Sequence, residues 1–328
     1  MHITLEWTLK TAAFAGFLYI LLSLFNVHWL MRLRILAAMA VGAFLIGFLL
    51  WPKIAPADPL GAVTLYGGDF SAADILLCLL ASLIAGAGGC LLAYPYGKTI
   101  GLLAVPTGLA VWTFQSGSVR SVLLTHAAFE QRLAVYQFFR LETLFWLGLL
   151  LCGAAGIWLV SRFLPPAKIP KIPGTSSKKK KPNRTVSILA AVVISIVTVQ
   201  LTVGLFAQDV RYPDAQIGSV TGQPGNRQIA FAVLASFAVA GAAIKYFLDC
   251  EHYWAVLAGP ILYFIALSAS CSPKMLQYMT ETWAVTFFPN TISAILPIQF
   301  ISFSAIGALA GEWIVIKYKM AKYLQKVP

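Results

Sequence analysis

Nine stretches of the chain are almost uninterruptedly apolar, and the polar residues are gathered between them. They cover residues 11–31, 35–51, 72–94, 99–113, 141–164, 186–207, 229–247, 254–272 and 291–318. A helix rises about 1.5 Å per residue, so roughly 20 apolar residues cross the ~30 Å hydrocarbon core of a bilayer. Every stretch meets that length except 99–113, which is marginal. The pattern predicts an all-α, polytopic helical bundle integral to a membrane, with about nine transmembrane helices.

The first stretch carries Ser23, Asn26 and His28. Were it an interfacial helix, the count would fall to eight. It reads as a permanent span, because no basic region precedes it, its apolar run exceeds that of a signal peptide, and no small-residue cleavage pattern precedes Arg32.

Composition narrows the class further. Of 328 residues, 59% are hydrophobic and 11% charged, with a mean hydropathy of +0.80. Soluble domains carry about 25% charged residues, so a water-soluble globule or a disordered chain does not fit. The net charge of +12 raises the question of a nucleic-acid partner, which the placement of the charges answers. With the N-terminus outside and the spans threaded alternately, one face receives Arg32, Arg34, Lys98, the cations between Arg162 and Arg184, Lys245, Lys317, Lys319, Lys322 and Lys326. That face holds sixteen of the 24 cations and only Asp249, Glu251 and Glu312 of the acids. The positive-inside rule makes it cytoplasmic. The excess charge then reports orientation in a lipid bilayer and calls for no nucleic acid. Tryptophans near most span ends fit the same frame, as amphipathic rings at head-group depth do. Short loops and this bias point to a bacterial inner membrane.

One break divides the chain. Residues 165–185 contain PPAKIPKIPGTSSKKKKPNR, whose prolines oppose helix and whose block Lys178, Lys179, Lys180, Lys181 repels itself. The expected organisation is a bundle of five spans over 1–164, a basic cytoplasmic linker over 165–185, and a bundle of four spans over 186–328. The lysine block is a candidate contact for anionic lipids, at about 1 kcal/mol per basic residue near the surface.

Small residues recur at helical spacing in three spans: Ala81, Ala85 and Gly89; Ala232, Ser236 and Ala240; Gly307 and Gly311. Such stripes let backbones approach closely, and in lipid that packing replaces the hydrophobic drive available in water. Pro106, Pro260 and Pro297 fall within spans and are expected to kink them. Gln200 and Gln299 come out at similar depth, and a hydrogen bond between them would satisfy both.

Candidate chemistry is sparse. Five cysteines and four histidines share no ligand spacing, so neither a metal nor another cofactor is expected. No Asp, Glu, Lys or Arg lies near a predicted midplane, which argues against a proton-coupled transporter. The densest stretch, 116–142, closes on Glu142, holds Arg120, His126, Glu130, Arg132 and Arg140, and reads as an interfacial amphipathic helix. On one helix His126 and Glu130, four apart, would share a face. Together with Asp209, Arg211 and Asp214 from the next outer loop, these residues are the candidate site for an anionic ligand or lipid head group.

The expected function is that of a non-catalytic membrane subunit packed against partner proteins. A solute or lipid carrier is the alternative, and a membrane enzyme acting at the outer face is the third.

Overall fold

A computed structural model describes residues 28–68, 70–165, 183–208 and 210–325. Seven of its helices are long and apolar enough to cross a membrane, which makes the chain an all-α polytopic membrane bundle. They are Trp29–Phe48, Ala72–Leu92, Phe129–Ser161, Arg184–Phe206, Asn226–Phe247, Tyr253–Ser270 and Pro297–Tyr323. Seven of the nine expected spans correspond to these helices. Most of the first stretch, and the lysine block Lys178 to Lys181, lie outside the described residues. The fourth stretch forms a one-turn helix Gly97–Ile100, a 3-10 turn Gly101–Leu103 and a helix Ala104–Gln115, no one of which has the length of a span.

We label the main helices α1 (Trp29–Gly42, continued by a π-helical segment Ala43–Phe48), α2 (Ala72–Leu92), α3 (Ala104–Gln115), α4 (Val119–Thr125) and α5 (Phe129–Ser161). They are followed by α6 (Arg184–Phe206), α7 (Asn226–Phe247), α8 (Tyr253–Ser270), α9 (Pro273–Thr282) and α10 (Pro297–Leu324). Two compact units interleave along the chain. The first is formed by the described parts of Met1–Leu50, Leu76–Gly108 and Leu149–Ala167, the second by those of Trp51–Ile75, Leu109–Gly148 and Lys168–Pro328.

Glycine contacts hold the first unit together. A Cβ on Gly42 of α1 would sit 1.6 Å from the Ala104 carbonyl oxygen, and one on Gly86 of α2 would sit 2.1 Å from that of Gly153 on α5. Backbones this close leave no room for any larger residue. Ala85 and Gly89 are buried on α2, while Ala81 is only half-buried.

The second unit is built around α7 and α10. Their contact is reciprocal: Gly307 and Gly311 of α10 lie under the Leu234 and Ala238 carbonyls of α7, and Gly241 of α7 lies under that of Ala308. Ala232, Ser236 and Ala240 are fully buried on α7. α6 shows how one helix divides between protein and lipid. Ala191, Ser195, Val199 and Val203 face inward, while Val186, Leu189, Val193, Val197, Leu201 and Leu205 form an exposed ridge.

Two of the three span prolines take positions other than those expected. Pro297 opens α10, where its missing N–H costs nothing, and Pro106 falls in the first turn of α3; only Pro260 is interior to its helix. A small antiparallel sheet, not foreseen in the sequence, joins β1 (Arg211–Asp214), β2 (Gly218–Gly222) and β3 (Phe287–Phe288). Arg211 pairs with Thr221 and Asp214 with Gly218, and Thr221 pairs with Phe288 on its other side. Gly218 at φ +81° allows the turn, and the Asp214 carboxylate accepts from the Gln216 and Ile217 N–H groups, both at 2.8 Å.

Candidate functional site

The sheet marks one end of the second unit, and hydrogen bonds knit several separate loops there. Gly117 N–H donates to the Gly61 carbonyl at 2.8 Å. The Gln223 side chain accepts from Arg120 N–H at 3.2 Å and donates to the Ala294 carbonyl at 2.9 Å. Asn226, at the start of α7, donates to the Ser116 carbonyl at 3.1 Å and accepts from Gln299 Nε2 at 3.2 Å. Gln299 also accepts from Leu296 N–H at 3.1 Å. The expected Gln200–Gln299 bond is therefore replaced: the Gln299 amide is committed to Asn226 and the start of its own helix, and Gln200 sits half-buried on α6.

The expected amphipathic helix over 116–142 is broken. α4 stops at Thr125, because the Thr125 hydroxyl and His126 Nδ1 both turn back to the Val122 carbonyl, at 2.8 and 2.9 Å. The chain restarts as α5 at Phe129. His126 packs edge-on against Tyr66 and Glu130 is exposed in the first turn of the next helix, so the two do not share a helix face.

The remaining candidates separate. Arg120 is exposed and bonds through its backbone. Arg211 donates from Nε to Ser219 Oγ at 2.8 Å across the hairpin. Asp209 lies outside the described residues. Asp214 receives Tyr278 Oη and Trp283 Nε1, each at 2.8 Å, besides its two backbone donors. Partial desolvation opposes its ionisation. The Ile217 N–H, the Trp283 indole, the Tyr278 phenol and the Gln216 N–H outweigh that and hold the carboxyl down at about 2. The same bond pushes the Tyr278 phenol up.

Glu142 closes the dense stretch of the sequence, but spacing along the chain could not give its partners. It is buried on α5, accepting from Thr64 Oγ1 at 2.6 Å, Leu65 N–H at 3.1 Å and Trp146 Nε1 at 2.9 Å. Its loop partners are more than seventy residues away in sequence. Trp146 and Trp112, expected at a lipid boundary, are instead fully buried and meet edge to face at 6.3 Å.

Arg132 and Arg140 are two cations with no salt bridge among the described residues whose guanidinium nitrogens are partly closed off from solvent. They lie eight residues apart on α5, with the buried Tyr136 between them donating to the Ser293 carbonyl at 3.4 Å. Arg132 is 8% exposed, and its one bond is a long one, Nη1 to Thr280 Oγ1 at 3.4 Å. Arg140 donates from Nη2 to the Leu267 carbonyl in the last turn of α8 at 3.3 Å and rests over the Phe264 ring at 5.9 Å. A cation at a helix C-terminus is favourable. Even so, Nε of both arginines is buried with no partner, as is the hydroxyl of Ser268, next to Leu267. Buried donors of this kind cost about 1–3 kcal/mol each when unpaired, more when charged.

The opposite end of the second unit differs in this respect. There Glu312 of α10 binds His252 through both its backbone N–H, at 3.0 Å, and its Nδ1, and pairs with Lys245 at 3.2 Å. Lys245 and Lys319 also reach Asp249, at 3.4 and 3.8 Å. These charges are matched to one another, as a structural clamp requires.

Among the described residues no three His, Cys, Asp or Glu side chains gather in a way that would hold a metal. No protein-family model, curated protein or solved structure matches this chain, so its membership rests on the architecture alone: a polytopic, all-helical membrane protein.

Proposed function

We propose that this membrane protein binds an anionic group noncovalently at Arg132 and Arg140, in the manner of a solute or lipid carrier. The observation that carries this reading is the pair of arginines on one helix whose buried Nε atoms have no partner; the Ser268 hydroxyl, one residue after the Leu267 carbonyl that Arg140 holds, is equally unpartnered. An anion supplies the charge-assisted hydrogen bonds these groups lack. Binding is favoured over covalent chemistry because the carboxylates of Glu142 and Asp214 are each engaged by several donors. The charge asymmetry supports a bacterial inner membrane with the N-terminus outside and the C-terminus in the cytoplasm, which would make Lys178 to Lys181 a contact for anionic lipids.

The test is thermal stability of the purified chain with added anions, soluble and amphiphilic. At least one anion should stabilise the wild type and lose its effect on the Arg132→Gln/Arg140→Gln chain. An equal response of the two proteins to every anion would refute the reading.

A packing subunit is the second reading. Its small-residue stripes are largely used within the chain, in the α7–α10 contact above all. What favours it is α6, the least covered of the seven spans. Purification in gentle detergent decides: a monodisperse monomer with no co-purifying chain removes this reading.

A further inference from the structure

The surroundings of Arg140 narrow the class of anion. Phe264, over which the guanidinium rests, is 48% exposed on a helix apolar enough to span a membrane. Ile261 and Ile265 are exposed beside it, at 46% and 50%. Residues 261, 264, 265 and 268 follow helical spacing, so they lie on one face of α8. Along that face the order is an exposed aliphatic side chain, an exposed ring beneath a cation, a second exposed aliphatic side chain, and then the buried, unpartnered hydroxyl of Ser268. A lipid has the same order of parts: apolar chain, then charged head. A small soluble anion would leave the apolar stretch without a role.

Resting on the anion-binding reading above, we infer that the ligand is the phosphate headgroup of a membrane lipid, entering sideways from the bilayer. Its phosphate lies against Arg140 and Ser268, its acyl chain follows Phe264, Ile261 and Ile265, and Arg132 is the further cation available to a larger headgroup. Arginine suits this role because its planar fork presents parallel donors to a phosphate and its face stacks on an aromatic ring.

The experiment uses the full chain in neutral detergent. Phosphatidic acid, phosphatidylcholine and inorganic phosphate are titrated separately, and binding is read by native mass spectrometry together with thermal stability. Phosphatidic acid should bind and stabilise the wild type, with phosphatidylcholine weaker and inorganic phosphate without effect at the same concentration. Arg140→Gln should weaken phosphatidic acid by about tenfold or more, and Ser268→Ala severalfold. Arg140→Lys, which keeps the charge at the end of α8 but not the fork, should fall between Arg140→Gln and the wild type.

Inorganic phosphate acting as well as phosphatidic acid would overturn the lipid inference and leave the anion site standing. Phosphatidylcholine binding as tightly as phosphatidic acid would also overturn it, since the head charge would then go unread. No response to any probe would remove both readings. If Arg140→Gln does not fold, Ser268→Ala decides, and unchanged phosphatidic acid binding in that variant overturns the inference.

Discussion

Removing the Glu142 side chain tests the buried network most directly. In the native protein Oε1 accepts from the Leu65 N–H and the Trp146 indole, and Oε2 accepts from the Thr64 hydroxyl. Glu142→Ala deletes the acceptor for all three at once. The Thr64 hydroxyl rotates freely and finds another partner at small cost, but the Leu65 N–H and the Trp146 indole point where the carboxylate was. At about 1–3 kcal/mol for each orphaned donor, the loss should be about 3–5 kcal/mol, the cavity included. Glu142→Gln keeps the shape. Its carbonyl oxygen still serves Leu65 and Trp146, and its NH2 donates to a turned Thr64 hydroxyl, so about 1–2 kcal/mol is expected. Reversible unfolding in mixed detergent micelles, followed by tryptophan fluorescence, gives both values. An alanine variant within about 0.5 kcal/mol of wild type, or a glutamine variant as unstable as alanine, would refute the assignment of this carboxylate as the staple between α5 and the Thr64 loop.

Other consequences are open to simpler measurements. Gly311→Leu should prevent the α7–α10 contact, because even a Cβ there would lie 2.0 Å from the Ala238 carbonyl oxygen; a folded variant with wild-type unfolding would contradict the packing. The Asp214 carboxyl is held below its unfolded value of 3.8, so it stabilises the sheet end above that pH and ceases to as pH falls toward about 2. Trp283 fluorescence, taken as the difference from Trp283→Phe, should titrate in this window and be flat in Asp214→Asn. Burial pushes the Cys271 thiol up to about 12, against the bond from Ser270, the Arg140 charge and the Ser293 bond, so a maleimide should label it only after unfolding. Labelling in the folded protein at mildly alkaline pH would place that thiol elsewhere.

The sequence by itself determined the elements whose signal is local. Apolar length is a property of consecutive residues, and it marked seven helices to within a turn or so at most ends. α5 is the main exception, beginning at Phe129 because nothing in its polar first turns forbids helix until the chain breaks at His126. The stripe Ala232, Ser236, Ala240 and the pair Gly307, Gly311 were legible as close-packing faces for the same reason. The tertiary structure decided what those faces meet and which polar groups converge. Gln299 turned to Asn226, Glu142 was closed by Thr64 and Leu65, and Asp214 was taken by Tyr278 and Trp283, all partners set by folding rather than by spacing. Arg132 and Arg140 stood out as charges in the sequence, but only burial beside unpartnered groups distinguishes them from the solvated arginines around them. Hydrophobic periodicity is written along one dimension, whereas the desolvation of a charge depends on every element that closes around it.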